Sequence, residues 1–365
     1  MRSEIKIKEN LKENLEGIKV YKKYTGKKLR IALLLIVIIL LLSIIAINAG
    51  STSLKPHQIL MTILGQGTDV SQVVIWRIRL PRVLVAIIAG AGLSVAGCVM
   101  QNNLRNPLAS PSTLGISSAS AFGANLAIVV FGAGNIRSTS ADAVIINNPY
   151  IVTISAFICS MAATMIILFL ATLQGFLPEC IILAGVAIGS LFSAATTLIQ
   201  YFAQDVQVAA AIFWTFGDLG RASWREVMIM AIVTTLSIIY FMFRRWDYNA
   251  MDSGEEVAKS LGVKVERVGF GGMLVSSLIT SVIVSFLGVI GFIGLIGPQI
   301  VRRLIGGDHR FLIPISALMG TVLLLISDTI ARTLVAPIIL PVGAITSFLG
   351  APLFFYLLLR GYKTK

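Results

Sequence analysis

The sequence predicts an all-α polytopic membrane protein with about ten transmembrane helices. Of its 365 residues, 56% are hydrophobic and only 13% are charged, whereas soluble domains carry about 25% charged residues. The charges lie between long apolar runs. Several of these runs reach the roughly 17–25 residues that a helix needs to cross a bilayer, which excludes a soluble domain.

The predicted elements begin with a basic amphipathic tail, residues 1–30, in which Lys and Glu alternate. We expect this tail to be cytoplasmic and helical, and residues 31–360 to form one membrane domain. The first apolar run is too long for the roughly 7–15-residue core of a signal peptide. The predicted spans are 31–54, 83–104, one within 106–136 after a proline-broken entry, 151–173, 180–204, 227–243, two within 268–301 that turn near Gly288, 311–327 and 333–359. Residues 206–217 are too short to cross and predict a re-entrant or surface helix.

The charge distribution predicts the orientation of the chain in the cytoplasmic membrane. An even number of spans places both termini on one side, and the excess of basic residues makes that side the cytoplasm. The net charge of +13 does not indicate nucleic-acid binding, because the basic residues lie at span ends and not among aromatic residues on a soluble surface. The three cysteines lie in apolar runs without paired spacing, so neither a disulfide nor a metal site is predicted.

Four arginines on the predicted outer side, Arg77, Arg79, Arg82 and Arg332, oppose this bias, and the last three are candidate docking residues. The planar guanidinium suits carboxylates, so these residues could bind an acidic partner. They could equally bind lipid phosphates, with Arg332 paired to Asp328 at the i,i+4 spacing of a helix. The residues alone leave both interpretations open.

The second span combines small residues with a polar inner end. Gly90, Gly92 and Gly97 would allow neighbouring helices to approach closely and could border a translocation path. The polar residues at its inner end are Gln101, Asn102 and Asn103. They could line a gate or only face interfacial water.

A polar cytoplasmic loop, about residues 246–266, predicts one short helix outside the membrane. Ser253 and Glu256 have the spacing of a capping box, and Gly262 is a helix stop. Val257 and Leu261 would share one apolar face. Such a helix could be purely structural or could contact a cytoplasmic motor. The candidate coupling residues are Ser253, Gly254, Glu255, Glu256, Val257, Ala258, Leu261 and Gly262.

Several motifs are missing from the sequence. It has no Gly-x-x-x-x-Gly-Lys-[Ser/Thr] loop that could bind nucleotide phosphates. Apart from Asp328, no Asp or Glu falls within a predicted span, which disfavours an ion-coupled carrier. No His/Asp/Glu cluster indicates a metal or hydrolytic site, so an enzyme is not predicted.

Separated sequence blocks resemble one known family, the permease subunits of ABC importers for iron–siderophore complexes, haem and cobalamin. The similarity covers the chain from about residue 31 to residue 360. The blocks are Arg79-Leu80-Pro81-Arg82, Asn106-Pro107-Leu108-Ala109 with Leu114-Gly115, Gly291-Phe292-Ile293-Gly294-Leu295 with Pro298, Gly307-Asp308-His309-Arg310, Asp328 with Arg332, Leu340-Pro341-Val342-Gly343 and Gly350-Ala351-Pro352. The chain departs from the family pattern at Gln299, Ile339 and Ala119-Ser120.

The resemblance implies a type II importer bundle in which two permease copies enclose a path. Two cytoplasmic ATPase subunits would carry ATP and Mg²⁺, with no cofactor on this chain, and would contact the coupling residues around Ser253 to Gly262. An extracytoplasmic substrate-binding protein would dock on Arg79, Arg82 and Arg332. The alternatives are an ATP-independent secondary carrier or channel, or a membrane subunit without a path.

Overall fold

The computed structural model of the protein describes residues 2–49, 59, 61, 62, 65–133 and 148–361. Helices make up nearly all of this part of the chain. In chain order they are α1 (Arg2–Asn48), α2 (Asp69–Asn103), α3 (Ile116–Val130), α4 (Pro149–Leu173), α5 (Pro178–Tyr201), α6 (Asp205–Thr215), α7 (Trp224–Phe243), α8 (Arg245–Asp252), α9 (Glu255–Ser260), α10 (Val265–Leu287), α11 (Ile293–Ile305), α12 (His309–Thr333) and α13 (Val342–Gly361).

The all-helical membrane architecture is confirmed. Among the described residues, seven helices are long and apolar enough to cross a bilayer: α1 from Tyr24 onward, α2, α4, α5, α7, α10 and α12. The shorter apolar helices α3 and α13, and the short helix α11, lie in the remaining predicted spans, and α6 coincides with the predicted short helix. Gly288 ends α10 with a φ of 82°, a conformation that favours glycine, so the turn predicted near Gly288 is present.

The start of α2 differs from the prediction. The helix begins at Asp69, well before residue 83, and a widened π-helical turn, Val73–Arg79, directly precedes Pro81. Proline lacks an N–H and clashes with the carbonyl four residues before it, and a π turn is one way to relieve that conflict without ending the helix. Arg79 and Arg82 therefore lie within the continuous helix α2, towards the outer end of the bundle.

The centre of the bundle is α2, which packs against α12, α10, α11 and α7. Its glycines allow this packing. A Cβ on Gly90 would come within 2.5 Å of the Gly320 carbonyl oxygen of α12, and a Cβ on Gly97 would overlap the Gly294 carbonyl of α11. Small residues at such crossings let helix backbones approach closely. The main hydrophobic core lies along these contacts.

The two ends of the bundle carry different polar groups. We name the two ends inner and outer after the predicted orientation. The inner end carries α8 and α9, the end of α2 and the start of α12. The outer end carries the C-terminus of α1, Arg79 and Arg82 of α2, and the end of α12. The tail and the first span form one helix, α1, without a break at residue 30.

Candidate functional site

Two short helices, α8 and α9, form the polar loop at the inner end. The predicted capping box is wrong: Gly254 occupies the N-cap of α9 and no side chain caps that helix. Ser253 instead ends α8, a helix that the sequence analysis missed. Gly254, at φ 112°, then redirects the chain into α9, and Gly262, at φ 85°, provides the predicted stop.

Helix α9 presents an apolar ridge away from the bundle. Val257 and Leu261 are 46% and 68% exposed, whereas Ala258 on the other side is buried. Glu255 beside the ridge pairs with Lys259 at 2.8 Å. The hydrogen bond from Lys259 lowers the pKa of Glu255. The ridge is thus a small apolar surface next to charges, as a protein contact would require.

Helix α8 is bound to the membrane helices. The amide of Asn102, in the last turn of α2, donates to the Asp252 carboxylate at 2.6 Å and to the Tyr248 carbonyl at 3.3 Å. Asp252 also lies 3.7 Å from Arg302 of α11. Burial raises the pKa of Asp252, and the charge of Arg302 and the Asn102 hydrogen bond oppose that rise.

The Gly307–Arg310 block joins α8 to α12 and α1. Asn249 of α8 donates to Asp308 at 3.1 Å and accepts from the His309 N–H at 2.7 Å. The Lys28 ammonium of α1 is buried 3.6 Å from Asp308 and over the ring of Phe311. Burial acts to raise the pKa of Asp308, but hydrogen bonds from Arg310 and Asn249 outweigh it and hold that pKa well below its usual range.

Sequence reasoning missed this cluster as a site. The Gly307–Arg310 block contributed to the prediction only as one of the blocks that resemble the permease family. One local feature of the sequence could have pointed to the cluster, namely the i,i+4 spacing of Tyr24 and Lys28 in α1. In the structure, Lys28 donates a 2.6 Å hydrogen bond to the Tyr24 hydroxyl. That spacing alone does not reveal a partner as distant in sequence as Asp308.

The other two predicted amides are also engaged within the chain. Gln101 donates to the Leu295 carbonyl at 3.1 Å and accepts from Gln299 at 2.8 Å, while Asn103 donates to the Gly269 carbonyl at 3.3 Å. Gln101 and Gln299 line a cavity of about 280 Å³ whose other wall includes Asp252. These contacts place Gln101 beside open space, and its role in a gate stays a prediction.

The three predicted path glycines face helices of the same chain. Gly90 and Gly97 contact α12 and α11 as described above, and a Cβ on Gly92 would come within 2.8 Å of Ile283 of α10. Their side of α2 is therefore filled by protein in this conformation. The structure shows that these glycines allow close helix packing. Their role in the translocation path stays a prediction.

Helix α5 has an unusual outer surface. Ser190, Ser193 and Thr197, spaced as one helical face, are exposed. The exposed large hydrophobic side chains of α1, apart from Tyr24, are Leu, Ile and Val. Helix α5 also exposes apolar side chains, namely Leu183 and Val186 earlier on the same face and Leu191 and Leu198 beside it. Polar side chains within membrane spans usually face a bundle interior or a water-filled cavity, so this face of α5 is a better candidate for a path than the glycine face of α2.

The outer end holds a buried cluster of charges. Asp328 of α12 accepts from Arg82 Nε at 2.8 Å and lies 3.0 Å from Arg332 Nε. Arg82 Nη2 also lies 3.3 Å from Asp218, a half-exposed residue of the segment between α6 and α7. One carboxylate therefore holds two arginines from α2 and α12, and the i,i+4 pair of Asp328 and Arg332 is present.

The arginines at this end are largely enclosed. Arg79, Arg82 and Arg332 are only 4%, 4% and 9% exposed. Arg79 donates to the Ile47 carbonyl at 2.7 Å, and Arg332 donates to the Ala49 carbonyl at 2.9 Å. Cations at a helix C-terminus satisfy its unpaired carbonyls. These arginines thus hold the end of α1 against α2 and α12, and docking of a partner on them stays a prediction.

No metal centre is evident in the part of the chain that the structure describes, since no three His, Cys, Asp or Glu side chains converge there. Many polar groups of both ends bind each other or backbone carbonyls of neighbouring helices. These interactions join helices that are distant in the sequence.

Comparison with known proteins gives a consistent assignment. A chain of Methanocaldococcus jannaschii described as an ABC transporter permease is 59% identical over 94% of this chain and 98% of its own length. The hemin transport system permease protein of Yersinia pestis is 37% identical over 89% of this chain and 94% of its own length. The cobalamin import system permease protein of Halobacterium salinarum is 37% identical over 80% and 74% of the two chains.

A solved structure of similar fold supports the same assignment. It is an inward-facing conformation of a transporter described as of the metal-chelate ABC type. The similarity has a TM-score of 0.77 at 29% sequence identity, and covers 92% of this chain and 100% of the other. The FecCD transport family model matches residues 35–360. This range is close to residues 31–360, over which the sequence resembles the permease family. This multi-pass membrane protein therefore belongs to the FecCD transport family of ABC transporter permeases.

Proposed function

We propose that this chain is the membrane-spanning subunit of an ATP-driven importer that moves an iron chelate, haem or cobalamin across the cytoplasmic membrane. Two copies would enclose the path, with both termini in the cytoplasm. Two ATPase subunits would bind inside and carry the ATP and Mg²⁺, and a substrate-binding protein would deliver the substrate outside. The relatives include a hemin permease and a cobalamin permease, which supports this substrate class.

The observation that carries the proposal is the pair of helices α8 and α9. A helix outside the membrane that exposes Val257 and Leu261 suits a soluble partner, and α8 connects it to the inner ends of α2, α11 and α12. In the proposed cycle, closure of the ATPase dimer displaces α9 and the two bundles move against each other. Alternating access of this kind exposes a site between the copies to each side in turn.

On the outer side, the docking proposal retains Arg79, Arg82 and Arg332, with one refinement. Arg82 shares its guanidinium between buried Asp328 and half-exposed Asp218. A carboxylate from the binding protein would have to replace Asp218 beside Arg82, while the contacts of Arg79 and Arg332 with α1 would stay. Charge-complementary contacts of this kind fix orientation more than affinity.

The test is purification of the tagged chain from native membranes in mild detergent, with subunit stoichiometry by mass spectrometry. We expect equal amounts of an ATPase that carries the phosphate-binding loop absent from this chain. Replacing residues 255–261 by a Gly-Ser segment should remove the ATPase while the permease stays folded on size-exclusion chromatography. A chain that purifies alone and moves solute in vesicles without ATP would overturn the proposal in favour of a secondary carrier.

A further inference from the structure

One face of α8 carries the polar contacts between the cytoplasmic helices and the membrane bundle. Tyr248, Asn249 and Asp252 lie at positions i, i+1 and i+4, which share one side of a helix. The Tyr248 side chain is fully buried and its ring lies 5.8 Å from that of His309. This face of α8 is therefore the one that packs on the bundle.

The contact with α2 passes through Asn102. Its amide nitrogen donates to both Tyr248 O and Asp252 Oδ1, so it holds the last turn of α8 at two points. Asn102 is only 3% exposed, and it lies in the last turn of α2, the helix at the centre of the bundle. Displacing α8 would therefore pull on α2 or break two hydrogen bonds of a buried amide, one to a carbonyl and one to a partly exposed carboxylate, which is costly.

The same carboxylate reaches two further helices. Asp252 Oδ2 lies 3.7 Å from Arg302 of α11 and 3.5 Å from His309 Nδ1 at the start of α12. Asp252 thus contacts α2, α11 and α12 at once. These three helices pack against one another through Gly97 and Gly90, so a displacement at Asp252 acts on the centre of the membrane domain.

Helix α9 contacts the bundle differently. Its ion pair with the segment after α2, Glu255 to Arg105 at 3.4 Å, joins two side chains that are each more than one-third exposed. Exposed pairs of this kind contribute little to stability. The two helices therefore differ: α9 exposes the apolar ridge, whereas α8 contacts the bundle through buried Tyr248, Asn102 and His309 and the partly exposed Asp252.

We infer that Asn102 and Asp252 are positioning residues that transmit displacement of α8 and α9 to the membrane helix α2. The inference rests on the proposed function, because it assumes a partner that moves α9. It gives Asn102, predicted as a gate or interfacial residue, the different role of a fixed contact between the cytoplasmic helices and the bundle.

Two substitutions and their combination separate this role from simple packing. N102D places a second carboxylate where the 2.6 Å hydrogen bond is, so repulsion separates α8 from α2. D252N keeps an acceptor for Asn102 but removes the attraction to Arg302, and we expect a smaller effect. The double exchange N102D/D252N restores an amide–carboxylate hydrogen bond between the same two positions with the roles reversed, and lacks only the longer bond from position 102 to the Tyr248 carbonyl.

The measurement uses the complex of the full chain with its co-purified ATPase, in a background where Cys98, Cys159 and Cys180 are alanine. Leu108, an exposed residue shortly after α2, is replaced by Cys and labelled with a water-soluble maleimide. We expect ATP with vanadate to change the labelling rate at least about fivefold, the lower end of coupling between linked sites. N102D should abolish this change while ATP hydrolysis continues, and the double exchange should restore it.

The control is D247N. Asp247 is also on α8, but its ion pair, 3.1 Å from Arg244, is local and partly exposed, so the labelling change should persist. An unaltered change in N102D, no restoration in the double exchange, or an equal loss in D247N would each overturn the inference. If N102D does not assemble, a wild-type response in D252N overturns it. Absence of a co-purified ATPase in the wild type would instead refute the proposed function.

Discussion

At the scale of single residues, two features of α2 have consequences that can be measured. Gly90 and Gly97 are enclosed by backbone of neighbouring helices, and the arginines are enclosed by carboxylate and carbonyl oxygens. Neither kind of residue has room for substitution. Substituting a glycine would disturb helix packing, and substituting a member of the arginine–carboxylate cluster would leave buried charge unbalanced.

Replacing Gly97 by Ala should severely destabilise the protein. The added Cβ would overlap the Gly294 carbonyl, and backbone cannot move aside as a flexible side chain can. Overpacking costs about 1–3 kcal/mol and occasionally more, and we expect the upper end here. The measurement is the melting temperature in detergent. The matched control is G26A, since nothing lies within 4 Å of a Cβ on Gly26; an equal melting temperature for the two variants would contradict the packing.

Replacing Asp328 by Asn should leave Arg332 without its carboxylate partner and Arg82 with only the half-exposed Asp218. Removing one partner of a buried ion pair costs about 3–5 kcal/mol, so we expect a large drop in thermal stability. D218N is the control, because its half-exposed carboxylate should contribute no more than about 1 kcal/mol. If D328N melts like the wild type, the cluster does not hold α2 and α12 together.

At the scale of elements, the short helices α8 and α9 divide their tasks. Helix α8 binds the bundle through buried polar groups, whereas α9 leaves Val257 and Leu261 exposed. Gly254 and Gly262 set the limits of α9 through their positive φ. The pair therefore offers an apolar surface on a support that is fixed to the membrane domain.

The double substitution V257S/L261S should weaken binding of the ATPase without unfolding the chain. Burying one such side chain contributes about 1.5–3 kcal/mol, and about 1.4 kcal/mol corresponds to tenfold in affinity. We therefore expect recovery of the ATPase in the purification described above to fall by at least about tenfold. The control is L334S/I338S, which alters two comparably exposed apolar residues beyond the outer end of α12. Equal recovery with both variants would show that the ridge is not the contact.

At the scale of the whole molecule, the outer surface of the bundle is not uniform. The exposed side chains of α1 suit lipid, whereas α5 exposes Ser190, Ser193 and Thr197. In a pair of chains around a path, the polar face would line the path and the apolar faces would meet lipid. This assigns α5 to the centre of the proposed dimer and α1 to its periphery.

A single cysteine at Ser193 should therefore be accessible to water. In native membranes, S193C should react with a membrane-impermeant maleimide at least about tenfold faster than V37C, since the reactive thiolate forms readily only in water. Val37 of α1 is the control because it is similarly exposed in the single chain. Equal, slow labelling at both positions would place α5 against lipid and contradict the assignment.

Local sequence signals predicted much of the architecture. The apolar runs located the spans because the bilayer sets a minimum helix length, and Gly262 and Gly288 marked ends because their backbone conformations favour glycine. Local rules misled at Pro81 and Ser253. Proline usually lies at the start of a helix, but α2 continues through Pro81 because a π turn precedes it. Ser253 lies at the C-terminal end of α8, a helix that the sequence analysis did not predict.

The amino-acid sequence by itself determined the class of the protein, the approximate spans, the short helix with its apolar ridge and, through several separated blocks, its family. These depend on composition and near-neighbour spacing, which the chain carries before it folds. Only the tertiary structure decided the partners of the charged and amide groups. Arg82 meets a carboxylate 246 residues away, and Asn102 meets one 150 residues away. No local pattern encodes such pairs, because burial brings them together only when the helices pack.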